Sequence, residues 1–215
     1  MGNVVLEEQT FSEVKRLCCA GQPDGLALLG EVIERLRRVV PFEAYCTSTL
    51  DPASGLITHA LAEEMGGADE AAIFFERLYF EHHQSVRRMV DIHQSVALLS
   101  VTTDGDLERS TRYVEYLRPL GLAYEMSGAF TSGGYLWGYM DLIRESGSPD
   151  FKPREANLLR RIAPHLGNGL KMAALRAQTP LEEGGTDVPG VLTLDYQGRV
   201  VQHTLAAERW LRDLE

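Results

Sequence analysis

The side chains most able to do chemistry are scattered along the chain. His82 and His83 are adjacent, with His93 further on. Neighbouring residues on a helix point in different directions, and no second pair at ligand spacing accompanies these two, so no metal or haem site is implied. His59 falls in the middle of a predicted strand, where it can face a pocket, and His165 after Pro164 reads as helix packing. Cys18 and Cys19 are neighbours on a helix, a poor placement for a strain-free disulfide, and no basic cluster is positioned to activate a thiol. With Cys46 they read as reduced, small apolar groups. The acidic pairs Glu63–Glu64 and Asp69–Glu70 read as solvated faces. GGAD and SGG lack the lysine and helix of a phosphate loop, and there is no G-x-S-x-G elbow. Tyr135, Trp137 and Tyr139 alternate along one strand and would share an aromatic face. No catalytic residue, metal or cofactor follows, and no reaction is expected.

The elements that would position these groups are legible from periodicity. TFSE at 10–13 is a capping-box pattern, so a helix is predicted from Thr10, with Phe11, Val14, Leu17 and Cys18 on one face. A second helix starts near Asp24 and carries Leu26, Leu29, Ile33 and Leu36 up to Pro41. FEAYCTSTL, DPASG and LITHALAE read as a hairpin. DEAAIFFERLYFEHH at 69–83 is predicted to be amphipathic and helical. SVALLSV is a short buried strand, and Asp104 or Asp106 would cap a helix running to Leu117. LAYEMSGAFTSGGYLWGYMDLIRES at 122–146 gives two strands around SGG, whose glycines supply the positive φ of a hairpin turn. A long helix starts near Pro153, ends near Gln178, and should kink or break at Pro164. This order predicts an α+β domain, with an antiparallel sheet and helices packed on it.

Composition narrows the class. A length of 215 residues suits one domain plus part of another. With 44% hydrophobic and 24% charged residues the chain is globular. A net charge of -10 argues against nucleic-acid binding by this segment. No apolar run reaches the ~18 residues of a membrane span, and the N-terminus has neither a signal-peptide nor a myristoylation pattern. The expectation is a cytoplasmic chain with no membrane contact.

GGYLWG, YMDLIRE and DFKPREANLLRRIAPHL, taken in order, resemble the closing strand and last helix of GAF sensory domains. There a glycine precedes the strand and a Phe-x-x-x-Glu element opens the helix; the matching residues are Gly138, Phe151 and Glu155. DGLALLGEVIERLRRVVPFEAYCTSTLDPASGLI is similar to the GAF opening. YLRPLGLAYEM, WGYMDLIRE and RRIAPHL look more narrowly like bacterial transcriptional regulators with a GAF-like sensor and a LuxR-type helix-turn-helix. GVLTLDYQGRVVQHTLAAERWL is similar to the start of a PAS-type domain, with Asp195 and Gly198 at the turn and Thr204 where Asn is usual. The expected layout is an N-terminal helix (1–23), a GAF-like domain (24–178), a linker (179–188) and the start of a truncated PAS-like domain (189–215).

The resemblance implies a sensor that binds a small molecule or a partner and signals through the long helix, a small-molecule ligand being held between one sheet face and the covering segments. Strand alternation puts Tyr45 and Thr47 on one face with Thr49. His59 from the next strand, Phe75, Tyr79 and His82 from the covering helix, and Tyr124 and Met126 from a central strand complete the candidate set. The resemblance also implies a homodimer through the long helix, where Leu159, Ile162, Leu166, Leu170 and Ala173 form a seam, joined by residues 11–19. DNA would be contacted only through a missing C-terminal domain. Alternative readings are the input module of a histidine kinase and a thiol-dependent methionine sulfoxide reductase. The absence of cysteine between 65 and 121 speaks against the reductase.

Overall fold

Two glycines set the sheet. Gly133 and Gly134 sit at φ +61° and +82°, the left-handed pair that a two-residue hairpin turn needs, and they join the two longest strands. In the computed structural model of the chain, the described residues are 2–22, 24–67, 74–177, 192–194, 199–203, 207 and 211. The side chains at 2, 3, 75, 76, 80, 83, 193, 194 and 201–203 lie outside the described set. The chain divides into two units, residues 1–177 and 178–215.

In the first unit, α1 (Gly2–Cys19) and α2 (Gly25–Leu36) precede a hairpin of β1 (Ala44–Leu50) and β2 (Ile57–Glu63). A π-helical turn (Phe74–Leu78) then runs into α3 (Tyr79–Asp91), followed by β3 (Val96–Leu98) and the short α4 (Leu99–Thr102). Helical turns at Leu107–Arg109, Tyr113–Leu117 and Arg118–Leu120 lead to β4 (Leu122–Ser132), β5 (Tyr135–Glu145) and the long α5 (Pro153–Ala177). The strands form one antiparallel sheet in the order β2-β1-β5-β4-β3. The α+β expectation is met. Where one helix capped by Asp104 or Asp106 and running to Leu117 was predicted, a separate turn at Leu107–Arg109 precedes a continuous helical stretch over 111–120 that is π-helical at Tyr113–Leu117.

One sheet face carries Val96, Met126, Phe130, Met140 and Leu142, and α2 and α5 close over it with Leu29, Ile33, Leu159, Ile162 and Leu166. The same core receives Val14 and Cys18 of α1, which lies along α5 and pairs Glu8 with Arg161 at 2.6 Å. Asp24 caps α2 by accepting from the Leu26 N–H at 2.9 Å, as the sequence predicts. Thr10 corrects another expectation: α1 begins at Gly2, so Thr10 is a buried mid-helix residue and not a cap. Pro164 does not end α5, which runs on to Ala177.

The start of α5 is latched. Glu155 accepts from the Lys152 N–H at 2.7 Å and pairs with Arg144 at 3.3 Å. Arg144 also donates to the carbonyls of Pro41, Pro149 and Asp150, and its guanidinium stacks 4.1 Å from the Phe151 ring centre. The Phe-x-x-x-Glu element therefore fixes where the last helix leaves the sheet.

In the second unit β6 (Leu192–Leu194) pairs antiparallel with β7 (Val200–His203), and Ala207 and Leu211 are helical. Asp195, Gly198, Thr204 and the linker 179–188 lie outside the described residues. Among the described residues no helix is long and apolar enough to cross a membrane.

Candidate functional site

The opposite face of the sheet has polar residues at its centre. Register brings Glu125, Ser127 and Ala129 of β4 alongside Ile143, Asp141 and Tyr139 of β5, and these alongside Ala44, Cys46 and Ser48 of β1. Apolar patches flank the centre. Ala44, Ile143, Phe74 and Tyr116 lie to one side, and Leu50, Val86, Met89 and Ala129 to the other.

A β-bulge decides which residues face this way. Thr131 pairs with Leu136 but Phe130 pairs with Gly138, so Trp137 is the extra residue and the rest of β5 changes face. Trp137 falls into the helix-side core and donates its Nε1–H to the Ser132 carbonyl at 3.0 Å. Tyr139 points the other way and Tyr135 is exposed, so the three aromatics predicted to share a face do not.

At the centre, the Arg112 Nε donates to Glu125 Oε2 at 2.7 Å, and its Nη2 lies 3.6 Å from Asp141 Oδ2. Its guanidinium carbon sits 5.1 Å from the Phe74 ring centre and 5.7 Å from that of Tyr116. Ser127 donates to Asp141 Oδ1 at 2.7 Å. His82 Nε2 is 3.0 Å from Asp141 Oδ2, an ion-pair distance without hydrogen-bond alignment. Its ring stands edge-on to Phe74 and Tyr139, with centroids at 5.8 and 5.3 Å. Burial pushes the Asp141 carboxyl up, but His82, Arg112 and Ser127 outweigh it and hold the group below the usual carboxylate range. Burial likewise opposes the Arg112 charge, and Glu125 and Asp141 more than restore it.

The polar groups are incompletely satisfied. Ser48 Oγ, His82 Nε2, Arg112 Nη1, Tyr139 Oη and Asp141 Oδ2 are all buried without an aligned hydrogen-bond partner, although His82 faces Asp141 and Tyr139 faces Ser48. Such atoms cost free energy unless something else meets them. A cavity of about 580 Å³ opens between α3, the 99–112 segment and β4, with His82, Arg112, Glu125 and Ser127 in its wall; Ser48, Tyr139 and Asp141 do not line it. That volume suits a small organic molecule.

The eight sequence-predicted ligand residues are not brought together. His82 lines the cavity. Tyr79, one turn earlier on α3, does not line it; it packs edge-on to Phe74 and accepts from the Ile57 N–H at 3.3 Å. The Phe75 side chain lies outside the described set. Tyr45, Thr47, Tyr124 and Met126 lie on the helix-packed face: Thr47 donates to the Tyr139 carbonyl at 2.8 Å, and Tyr45 packs edge-on to Phe42. His59 is exposed on the outer strand, 3.4 Å from the Thr49 hydroxyl. The alternation itself was read correctly; the covered cavity is on the other face.

Arg112, Glu125, Ser127 and Asp141 were missed. Their signal is the presence of two carboxylates in otherwise apolar strands, YEMSG and YMDLI. Cys46 lies on the same face, where burial, then the Asp141 charge, push its thiol up to about 12, so it is not a thiolate at neutral pH. Among the described residues no three His, Cys, Asp or Glu side chains gather as a metal site. The predicted dimer seam is a further correction. Leu159, Ile162, Leu166, Leu170 and Ala173 are buried within the chain's own core and cannot also meet a second copy.

Neither a protein-family model nor a curated protein matches the sequence. Solved structures do match. The chain is similar to an N-acylhomoserine lactone-dependent LuxR-family transcription factor from Burkholderia cenocepacia, at 11% identity and TM-score 0.53, covering 83% of this chain and 98% of that one. It is also similar to a GAF domain/HD domain protein from Geobacter sulfurreducens, at 14% identity and TM-score 0.49, covering 71% and 94%. A free methionine-R-sulfoxide reductase from Neisseria meningitidis matches at 12% identity and TM-score 0.48, covering 80% and 92%. The class defined by the first unit is a GAF-like α+β domain: a five-stranded antiparallel sheet closed on one face by helices that include a long C-terminal one.

Proposed function

We propose that the chain is the sensory part of a bacterial transcriptional regulator of LuxR type. It binds a small organic molecule in the cavity between α3 and β4 and catalyses no reaction. The observation that carries this reading is a cavity of ligand size with an apolar lining and a few polar side chains, His82, Arg112, Glu125 and Ser127, in its wall. The B. cenocepacia regulator, which shares the fold, supports a regulatory role. Binding would close α3 and the 99–112 segment onto β4, and β4 and β5 would pass the change to α5, which packs on their other face. The β6–β7 hairpin fits the opening of a PAS-like unit. DNA contact belongs to another domain of such a regulator, because this chain carries a net charge of -10. The setting is the cytoplasm. A homodimer remains part of the reading, formed through outward faces such as Val4 and Val5 of α1 and Met172 of α5, which are exposed.

The test is to purify the protein, extract it under denaturing conditions and identify released small molecules by mass spectrometry, with thermal-shift screening of a metabolite panel. A released compound that raises the melting temperature on re-addition supports the proposal. Absence of both a released compound and any stabilising metabolite counts against it. Light scattering at micromolar concentration tests the dimer, and a monomer removes that part.

A further inference from the structure

We infer that a second copy of this chain pairs with the free edge of the sheet, antiparallel to β2 and about a two-fold axis at Leu61, so that the two sheets run on as one. This edge is separate from the helix faces named for the homodimer above, and it is tested separately.

The two edges of the sheet differ. At one edge β3 is three residues long and runs straight into α4. Val96 is buried there, Ala97 and Leu98 are half-buried, and the Gln94 side chain donates to the Val96 carbonyl at 2.9 Å. A short strand whose carbonyl is already met by a side chain is a poor template for a further strand.

At the other edge β2 runs for seven residues, and among the described residues no strand lies beyond it. Thr58, His59, Ala60, Ala62 and Glu63 are exposed, while Ile57 and Leu61 are half-buried. Edges are commonly kept apart by a lysine, a proline, a bulge or a covering segment. β2 holds no lysine, arginine or proline. Its bulge is at Thr58, near its start, because Thr49 pairs with His59 and Leu50 with Ile57. From His59 to Glu63 the ladder to β1 is regular. Alternate residues of a strand turn their N–H and C=O away from the neighbour, so this stretch offers backbone groups on its far side.

The residue pattern selects the occupant. Antiparallel pairing about Leu61 sets Leu61 against Leu61 of the second copy, Ala60 against Ala62, and His59 against Glu63. No like charges meet, the alanines leave the backbones free to approach, and a carboxylate faces an imidazole able to donate an N–H. Glu63 is paired with Arg37 of its own chain at 3.0 Å, so its charge is balanced before the second copy arrives. A segment that is its own complement about one residue fits another copy of itself.

A ladder over His59–Glu63 is smaller than the interface of a stable dimer, so self-pairing is expected at roughly 0.1–1 mM. Copies already gathered by another contact reach effective concentrations of that order, and the sheet edge would then link them into larger assemblies.

The experiment is a dilution series of the full chain from about 1 mM to about 20 µM, spanning that range, with the amide signals of residues 59–63 as the readout. Those signals should shift with concentration, and Ala60→Lys with Ala62→Lys should abolish the shift. These two exposed substitutions set lysines against lysines at two points across the axis. Signals that stay fixed through the series overturn the inference and leave the edge to a strand of another protein. Shifts that persist unchanged in the lysine variant overturn it too. Association lost in Val5→Lys, with fixed signals at 59–63, keeps the helix-face dimer and removes only the edge. If the lysine variant does not fold, Leu61→Cys decides, in a Cys19→Ser background that removes the exposed thiol. Residues opposite one another in an antiparallel ladder have Cα atoms about 4.5–5.5 Å apart, within disulfide range. Mild oxidation should therefore yield a crosslinked dimer, and a chain that stays monomeric overturns the inference.

Discussion

The two faces of this sheet are covered in opposite ways. Under α2 and α5, Met126, Phe130, Met140 and Leu142 meet leucines and isoleucines, an apolar contact that stabilises in proportion to the area it buries. Under α3, at the same depth, sit Arg112, Glu125, Asp141 and His82. Charges placed there lose their hydration, and replacing such a cluster with apolar residues of similar volume is often neutral or stabilising. The first face accounts for the fold. The second is hard to account for on stability alone, and it is the face on which the proposed binding reading rests. Covering one face apolarly and keeping the other polar is how a small domain can hold its shape and still keep a cavity.

The largest effect should come from breaking the polar face by removing one partner only. Asp141→Asn leaves Arg112 and His82 facing an uncharged amide and should cost about 3–5 kcal/mol, read by urea denaturation. It should also change the pH profile. The Asp141 carboxyl is held below its ordinary value in the folded chain, so its stabilisation is complete above the unfolded value of about 3.9 and is lost as pH falls through the folded one. Wild type should therefore lose stability in that acid window, and Asp141→Asn should show a flatter acid limb. An unchanged limb would mean that other carboxylates carry acid unfolding.

The apolar face should respond differently. Leu159→Ala removes a fully buried side chain beneath Met126 and Phe130 and should cost about 2–4 kcal/mol by the same assay. Unlike Asp141→Asn, it should leave ligand stabilisation intact, since Leu159 does not border the cavity. Loss of the ligand response here would mean the faces are coupled through the sheet.

The two faces also differed in how far they could be read from sequence. The α5 stripe and both hairpins were visible because burial repeats at the helical and strand periods, and Asp24 announced α2. TFSE misled because a helix can pass through a capping pattern when Thr10 is buried against a neighbouring helix. The polar face was hidden for a geometric reason. His82, Arg112, Glu125 and Asp141 come from four separate segments, and the extra residue at Trp137 reverses the face of β5 after the turn. No alternation count reveals a bulge. Gly138 was noted only by resemblance, and its physical role is close approach: a Cβ there would lie 2.6 Å from the Ser48 carbonyl oxygen, where β1 crosses β5.

Close approach also defines the next test. Gly167 of α5 packs directly on β4, and an added Cβ would overlap the backbone of Thr131. Backbone yields less readily than a side chain, so Gly167→Ala should push α5 away from the sheet and cost about 1–3 kcal/mol. Calorimetric melting checks this. A neutral result would show that α5 can slide on the sheet, which would make it a poor conductor of a signal between the faces.

The smallest change discriminates most directly between the faces. Thr47 is fully buried on the helix-packed side, and its hydroxyl donates to the Tyr139 carbonyl at 2.8 Å. Thr47→Val keeps the shape and deletes that bond, which should cost about 1 kcal/mol. Sequence alternation alone would place Thr47 in the ligand pocket with Tyr45, and the substitution would then weaken ligand binding severalfold. The cavity geometry places it behind the sheet, so ligand affinity in a calorimetric titration should match wild type within error. A Thr47→Val protein that folds, melts slightly lower and loses its ligand would return the pocket to the Tyr/Thr face. In that case the charges beneath α3 would need a structural explanation.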